Sequence, residues 1–108
     1  MDLFNDIAAH MAHTDNVVKG SMFSAKCLKI SGKAFAMFHK GNMVFKLPPE
    51  SHPAMFELEG VAMFEPMPGR AMNGWINVPP IHKNEWERYS YEALNYVRSI
   101  VQAKSRER

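Results

Sequence analysis

Between Met22 and Leu47 two glycine-containing turns cut the chain into three short apolar runs, and that spacing leaves few folds open. Lys26-Cys27-Leu28-Lys29-Ile30 alternates, Ala34-Phe35-Ala36-Met37-Phe38 is almost continuously apolar, and Met43-Val44-Phe45-Lys46-Leu47 alternates again. Ser31-Gly32 and Lys40-Gly41-Asn42 lie between them, and glycine supplies the positive φ that a tight reversal needs. Runs this close together cannot be joined by a crossover, so the pattern predicts an antiparallel three-stranded meander. The apolar middle run predicts that its second strand is the most buried of the three.

Helical signals flank the meander. Leu3, Phe4, Ile7, Ala8 and Met11 recur at helical spacing, with Asp2, Asn5, Asp6 and His10 opposite them. Thr14-Asp15-Asn16 and Gly20 break that helix. After Pro48-Pro49, a short helix is predicted from Ser51 to Glu59, with Gly60 as its stop. Val61 to Glu65 and Gly74 to Val78 read as two more strands, joined by a proline-glycine loop and closed by Pro79-Pro80. The last helix has the strongest signals. Asn84 and Glu87 stand as a capping box, and Trp86, Tyr89, Ala93, Val97 and Ile100 form its apolar stripe. The expected fold is therefore a single α+β domain of order α-β-β-β-α-β-β-α over residues 1–103. A basic tail, residues 104–108, follows.

Composition narrows the class of function. Hydrophobic residues at 46% and charged residues at 22% are ordinary for a globular domain. No apolar stretch approaches a membrane span, and the acidic N-terminus does not read as a signal peptide. The single cysteine, Cys27, permits no internal disulfide, so the expected compartment is the cytoplasm. A net charge of +2, carried largely by the tail, is weak for a nucleic-acid binder, and no such partner is expected.

The run Pro66-Met67-Pro68-Gly69-Arg70-Ala71-Met72 leading to Trp75 and Val78-Pro79 is the most distinctive stretch. Other marked pieces are Met22-Phe23, Gly32-Lys33-Ala34-Phe35-Ala36, Phe45-Lys46-Leu47-Pro48, and the helical Trp86, Ala93, Tyr96 and Val97. In this order, from about Met22 to about Val101, they resemble the N-terminal domain of the TfoX/Sxy family, named for regulators of natural competence in bacteria. The resemblance implies the α-β-β-β-α-β-β-α arrangement also seen in type III secretion chaperones. It implies no catalytic residues, because the family has none established. Many members carry a glycine pair where this chain has Ser24-Ala25. The founding regulators also carry a second, C-terminal domain that these residues do not include, so a competence role is not carried over.

Candidate sites follow from residue chemistry. Pro68-Gly69 pre-forms a turn that projects Arg70, whose planar fork suits a carboxylate or phosphate. Alternatively Arg70 pairs with an acid such as Glu65 and pins the loop. Lys26, Lys29, Lys33 and Lys46 fall on or beside the meander strands, as a basic face for an acidic partner or as a solvated face. Asp6, His10 and His13 share one helix face, but no fourth ligand is evident and no metal is expected. Cys27 has no base placed beside it and reads as a small buried hydrophobe. Phe23, Phe35, Phe38 and Phe45 are spread over both strand parities, as core residues are. The expectation is a non-enzymatic binding or regulatory domain without cofactor, acting by contact with a protein partner or as a homodimer. The alternative is a small-molecule sensor that grips an anion with Arg70 and a strand lysine. The tentative binding residues are Arg70, Gly69, Lys33, Lys46 and Trp75.

Overall fold

The computed structural model describes residues 3–15, 17–22 and 25–106. Helix α1 spans Leu3–Asp15 and is followed by four strands, β1 (Val18–Met22), β2 (Ala25–Ile30), β3 (Lys33–His39) and β4 (Asn42–Lys46). A 3-10 turn at Pro49–Ser51 runs into the short helix α2 (His52–Phe56). Strands β5 (Ala62–Met63) and β6 (Trp75–Val78), a 3-10 segment Pro80–Glu85 and helix α3 (Trp86–Arg106) complete the chain. All six strands form one antiparallel sheet of order β1-β2-β3-β4-β6-β5. The domain is α+β, as expected.

Two of its hairpins show why the glycine turns mattered. Ser31 (φ 52°) with Gly32 (φ 79°), and Lys40 (φ 52°) with Gly41 (φ 86°), occupy the left-handed region in pairs. Two successive positive φ values twist a two-residue loop in the same sense as the strands it joins. Ile30 is thereby held opposite Lys33, and His39 opposite Asn42.

The meander has a fourth strand that the sequence reading left out. Gly20 reads locally as a break, yet it sits inside β1, opposite Cys27. A Cβ on Gly20 would come within 3.0 Å of Lys29 Cε, so glycine at this point makes room for the lysine side chain crossing it. Phe23 and Ser24 of the expected first-strand motif lie outside the described residues, as do Glu107 and Arg108 of the tail; the backbone of α3 continues through Arg106.

Strand β4 shows how the sheet divides the core. Met43 and Phe45 join the larger hydrophobic cluster, with Phe4, Ile7, Ala8 and Met11 of α1 and Trp86, Tyr89, Ala93, Leu94 and Val97 of α3. Val44 joins a smaller cluster with Ala25, Cys27, Met37, Trp75 and Phe64. Burying each large apolar side chain contributes about 1.5–3 kcal/mol before the entropy cost of ordering it. Strand β3 is interrupted. Its register with β2 shifts between Leu28 and Lys29, so Phe35 has no direct partner there. As a result Phe35 and the adjacent Ala36 both join the helix-side cluster, while Met37 belongs to the other. The middle strand is not set apart by burial, since Phe35–Met37 and Met43–Phe45 are equally inaccessible at 0%.

The loop from Phe64 to Trp75 closes over the smaller cluster. Phe64 N donates to the Trp75 carbonyl at 2.8 Å, and Met72 N donates to the Phe64 carbonyl at 2.8 Å. The final helix departs from its expected cap. A 3-10 segment precedes Trp86, and the Glu87 carboxylate meets His10 Nδ1 of α1 at 2.9 Å. Among the described residues, no helix is long and apolar enough to cross a membrane.

Candidate functional site

An antiparallel meander brings the end of β2, the start of β3 and the end of β4 to the same end of the sheet, and β6 places its first residue there too. These positions hold Lys29, Lys33, Lys46 and Trp75. Together with Ser21, Gly32, Ala34 and the α3 residues Val97, Ile100 and Val101, they line a groove of about 420 Å³. That volume falls within the roughly 300–1,000 Å³ of small-molecule sites.

Each wall has a local cause. Lys46 is paired with Trp75 across β4 and β6, and its ammonium lies 5.7 Å from the centre of the indole ring. Gly74, just before Trp75, takes φ 91°, the left-handed region that favours glycine, while a Cβ there would make only ordinary contact with Lys46 Nζ at 3.5 Å. Trp75 is nearly buried, at 5% exposed, and its backbone N donates to the Met72 carbonyl at 3.1 Å. Lys29 runs along β1 over Gly20. Lys33 stands exposed just after the Ser31-Gly32 turn. The α3 part of the lining, Val97, Ile100 and Val101, is aliphatic.

The electrostatics have one sign. Three lysines line the groove, and its described lining contains no carboxylate, histidine or cysteine. Such a surface attracts an anion and supplies no evident base or activated nucleophile. A second depression of about 690 Å³ lies between Leu3, Phe38, Pro80 and Trp86, but it carries both Lys83 and Glu87. Trp86 is part of its lining, and the Trp86 Nε1 is buried with no hydrogen-bond partner among the described residues; the ring meets Phe38 edge-on at 6.2 Å.

Of the five residues singled out from the sequence, the structure gathers Lys33, Lys46 and Trp75 in the groove. Gly69 and Arg70 do not join them. Both are exposed on the Phe64–Trp75 loop, where Arg70 N donates to the Met67 carbonyl at 2.9 Å and Gly69 takes φ 78°. Arg70 has no ion-pair partner among the described residues, Glu65 included, and lines neither depression. Lys29 was legible only as part of a basic face. Ser21 and Val101 were missed, because β1 went unread and Val101 lies beyond the helical stripe.

The other candidates resolve simply. Cys27 is fully buried, and burial pushes its thiol up from the ordinary value, against a smaller opposing effect of Lys29. A thiol held protonated is a poor nucleophile. His10 of the Asp6-His10-His13 set is engaged by Glu87, and the His13 side chain lies outside the described residues. Among the described residues, no three His, Cys, Asp or Glu side chains are grouped to hold a metal ion.

No family model matches the chain, and neither the curated proteins nor the solved structures contain a significant match.

Proposed function

We propose that this chain is a non-enzymatic binding or regulatory domain of the TfoX N-terminal type, and that it works by accepting an anionic group in the lysine-tryptophan groove. The observation that carries this reading is that Lys29, Lys33, Lys46 and Trp75 line one groove with no acid in its described lining. The order of motifs along the chain and the α+β architecture support the family reading. The secretion-chaperone likeness of that family favours a role in holding a partner. The buried, lone cysteine suits a cytoplasmic setting.

The test is titration with inorganic phosphate and with acetate at constant ionic strength, followed by amide shifts. Saturable shifts at Lys33, Ala34 and Trp75 that Lys29→Glu/Lys33→Glu abolishes would support the reading. No saturable shift, or one unchanged in the charge-reversed protein, would overturn it.

A second reading, contact with another protein or a second copy, is favoured by the edge strand β1. Among the described residues it pairs on one side only, with β2, and it presents Val18 at 57% exposure. Solution mass by light scattering decides it. A dimer that Val18→Lys dissociates would support edge pairing, and a monomer at all concentrations would remove it for the homodimer.

A further inference from the structure

The groove has two chemically different walls, and this limits which anions suit it. One wall is cationic, from Lys29, Lys33 and Lys46. The other is aliphatic carbon from Val97, Ile100 and Val101 on α3. Ile100 and Val101 are only partly buried, although Val97 one turn earlier is 4% exposed. A helix surface facing the sheet in this way ordinarily finishes in the core. Here its last apolar residues line an open cavity instead.

An inorganic anion would use the first wall and leave the second in water. A neutral apolar molecule would leave the ammonium groups unanswered. An aromatic body is poorly served as well, because Lys46 already lies against the indole of Trp75. Resting on the anion-accepting reading above, we infer that the ligand is an amphipathic aliphatic monocarboxylate. Its carboxylate lies among Lys29, Lys33 and Lys46, and its chain lies along Val97, Ile100 and Val101. A cavity of about 420 Å³ accommodates a chain of medium length.

Burial of each methylene should tighten binding about fourfold while the chain remains within the groove. The test is calorimetric titration of the intact protein with hexanoate, octanoate and decanoate, each below its micelle concentration, beside acetate, inorganic phosphate and 1-octanol. The expected result is a dissociation constant that falls stepwise with chain length, octanoate binding far better than acetate or 1-octanol, and a negative heat-capacity change. Ile100→Ser should flatten the length dependence. Lys33→Glu should weaken every anion. Acetate and phosphate binding as well as octanoate would overturn the inference and leave the anion reading standing. 1-Octanol binding as tightly as octanoate would overturn both, as would no binding by any probe. Length dependence that survives Ile100→Ser and Val101→Ser together would place the chain elsewhere and overturn the inference.

Discussion

Lys46 and Trp75 face each other across the β4–β6 pair, with the ammonium 5.7 Å from the centre of the indole ring. A cation over an aromatic face at a partly exposed position contributes about 0.5–1 kcal/mol. Lys46→Met keeps the apolar stem and removes the charge, so it should lower stability by about that amount in urea denaturation. In a Trp86→Phe background the emission of Trp75 should change at the same time. A loss well above 2 kcal/mol would mean that Lys46 supports the fold by something other than its charge.

Gly60 and Gly32 form a controlled pair. Both take positive φ, 78° and 79°, but a Cβ on Gly60 would come 2.9 Å from Pro79 Cγ, whereas one on Gly32 would meet nothing within 4 Å. Gly32→Ala should cost about 1–2 kcal/mol from the left-handed conformation alone. Gly60→Ala should cost clearly more, because the Pro79 ring just before the 3-10 segment must also shift. Equal losses by denaturant titration would show that Pro79 yields without resistance.

Burial raises the Cys27 thiol pKa from its ordinary value near 9.0. Above that value the unfolded chain releases this proton and the folded chain retains it, so the folded state then binds more protons. Stability from this group is therefore fully present below pH ~9 and falls as pH rises further. Cys27→Ala should flatten that alkaline slope in denaturation series, at some cost in packing. Alkylation by iodoacetamide should be slow in the native protein and rapid in urea. Rapid native labelling would contradict the closed cluster around Cys27, Met37 and Val44.

The His10–Glu87 pair joins α1 to α3, but its side chains are 68% and 47% exposed. Pairs this wet contribute at most about 1 kcal/mol and weaken with salt. Glu87→Gln should therefore change stability by less than that, and the difference should shrink in 0.5 M salt, taken as roughly a fivefold rise over ordinary ionic strength. A larger loss that persists in salt would favour the capping role read from the sequence.

Much of this architecture was legible because short-range rules governed it. The two glycine turns fixed their hairpins, and the stripe Trp86, Tyr89, Ala93 and Val97 is buried where helical spacing placed it. The failures have a common physical source. Gly20 signals a break when read locally, but its role depends on the side chain of Lys29 one strand away. Glu87 likewise has two possible partners in range, and only the packing of α1 selects His10. The groove was half legible. Strand ends that fall together in a meander could have gathered Lys29, Lys33 and Lys46, but the contribution of α3 requires knowing how that helix crosses the sheet. Arg70 drew notice through its turn, and a turn says nothing about what lies opposite.

The sheet order has one further consequence. Strands β1 to β3 pair with their immediate successors, whereas β4 reaches past β5 to pair with β6. The first pairings close short segments, and the β4–β6 seam must close a long proline-rich one, which carries the larger entropy cost. Lys29, Lys33 and Lys46 lie on the early side of that seam and Trp75 on the late side, with α3 after it. The groove is thus complete only when the last segment has docked. A ligand seated there would act as a latch, slowing release of the C-terminal half of the chain.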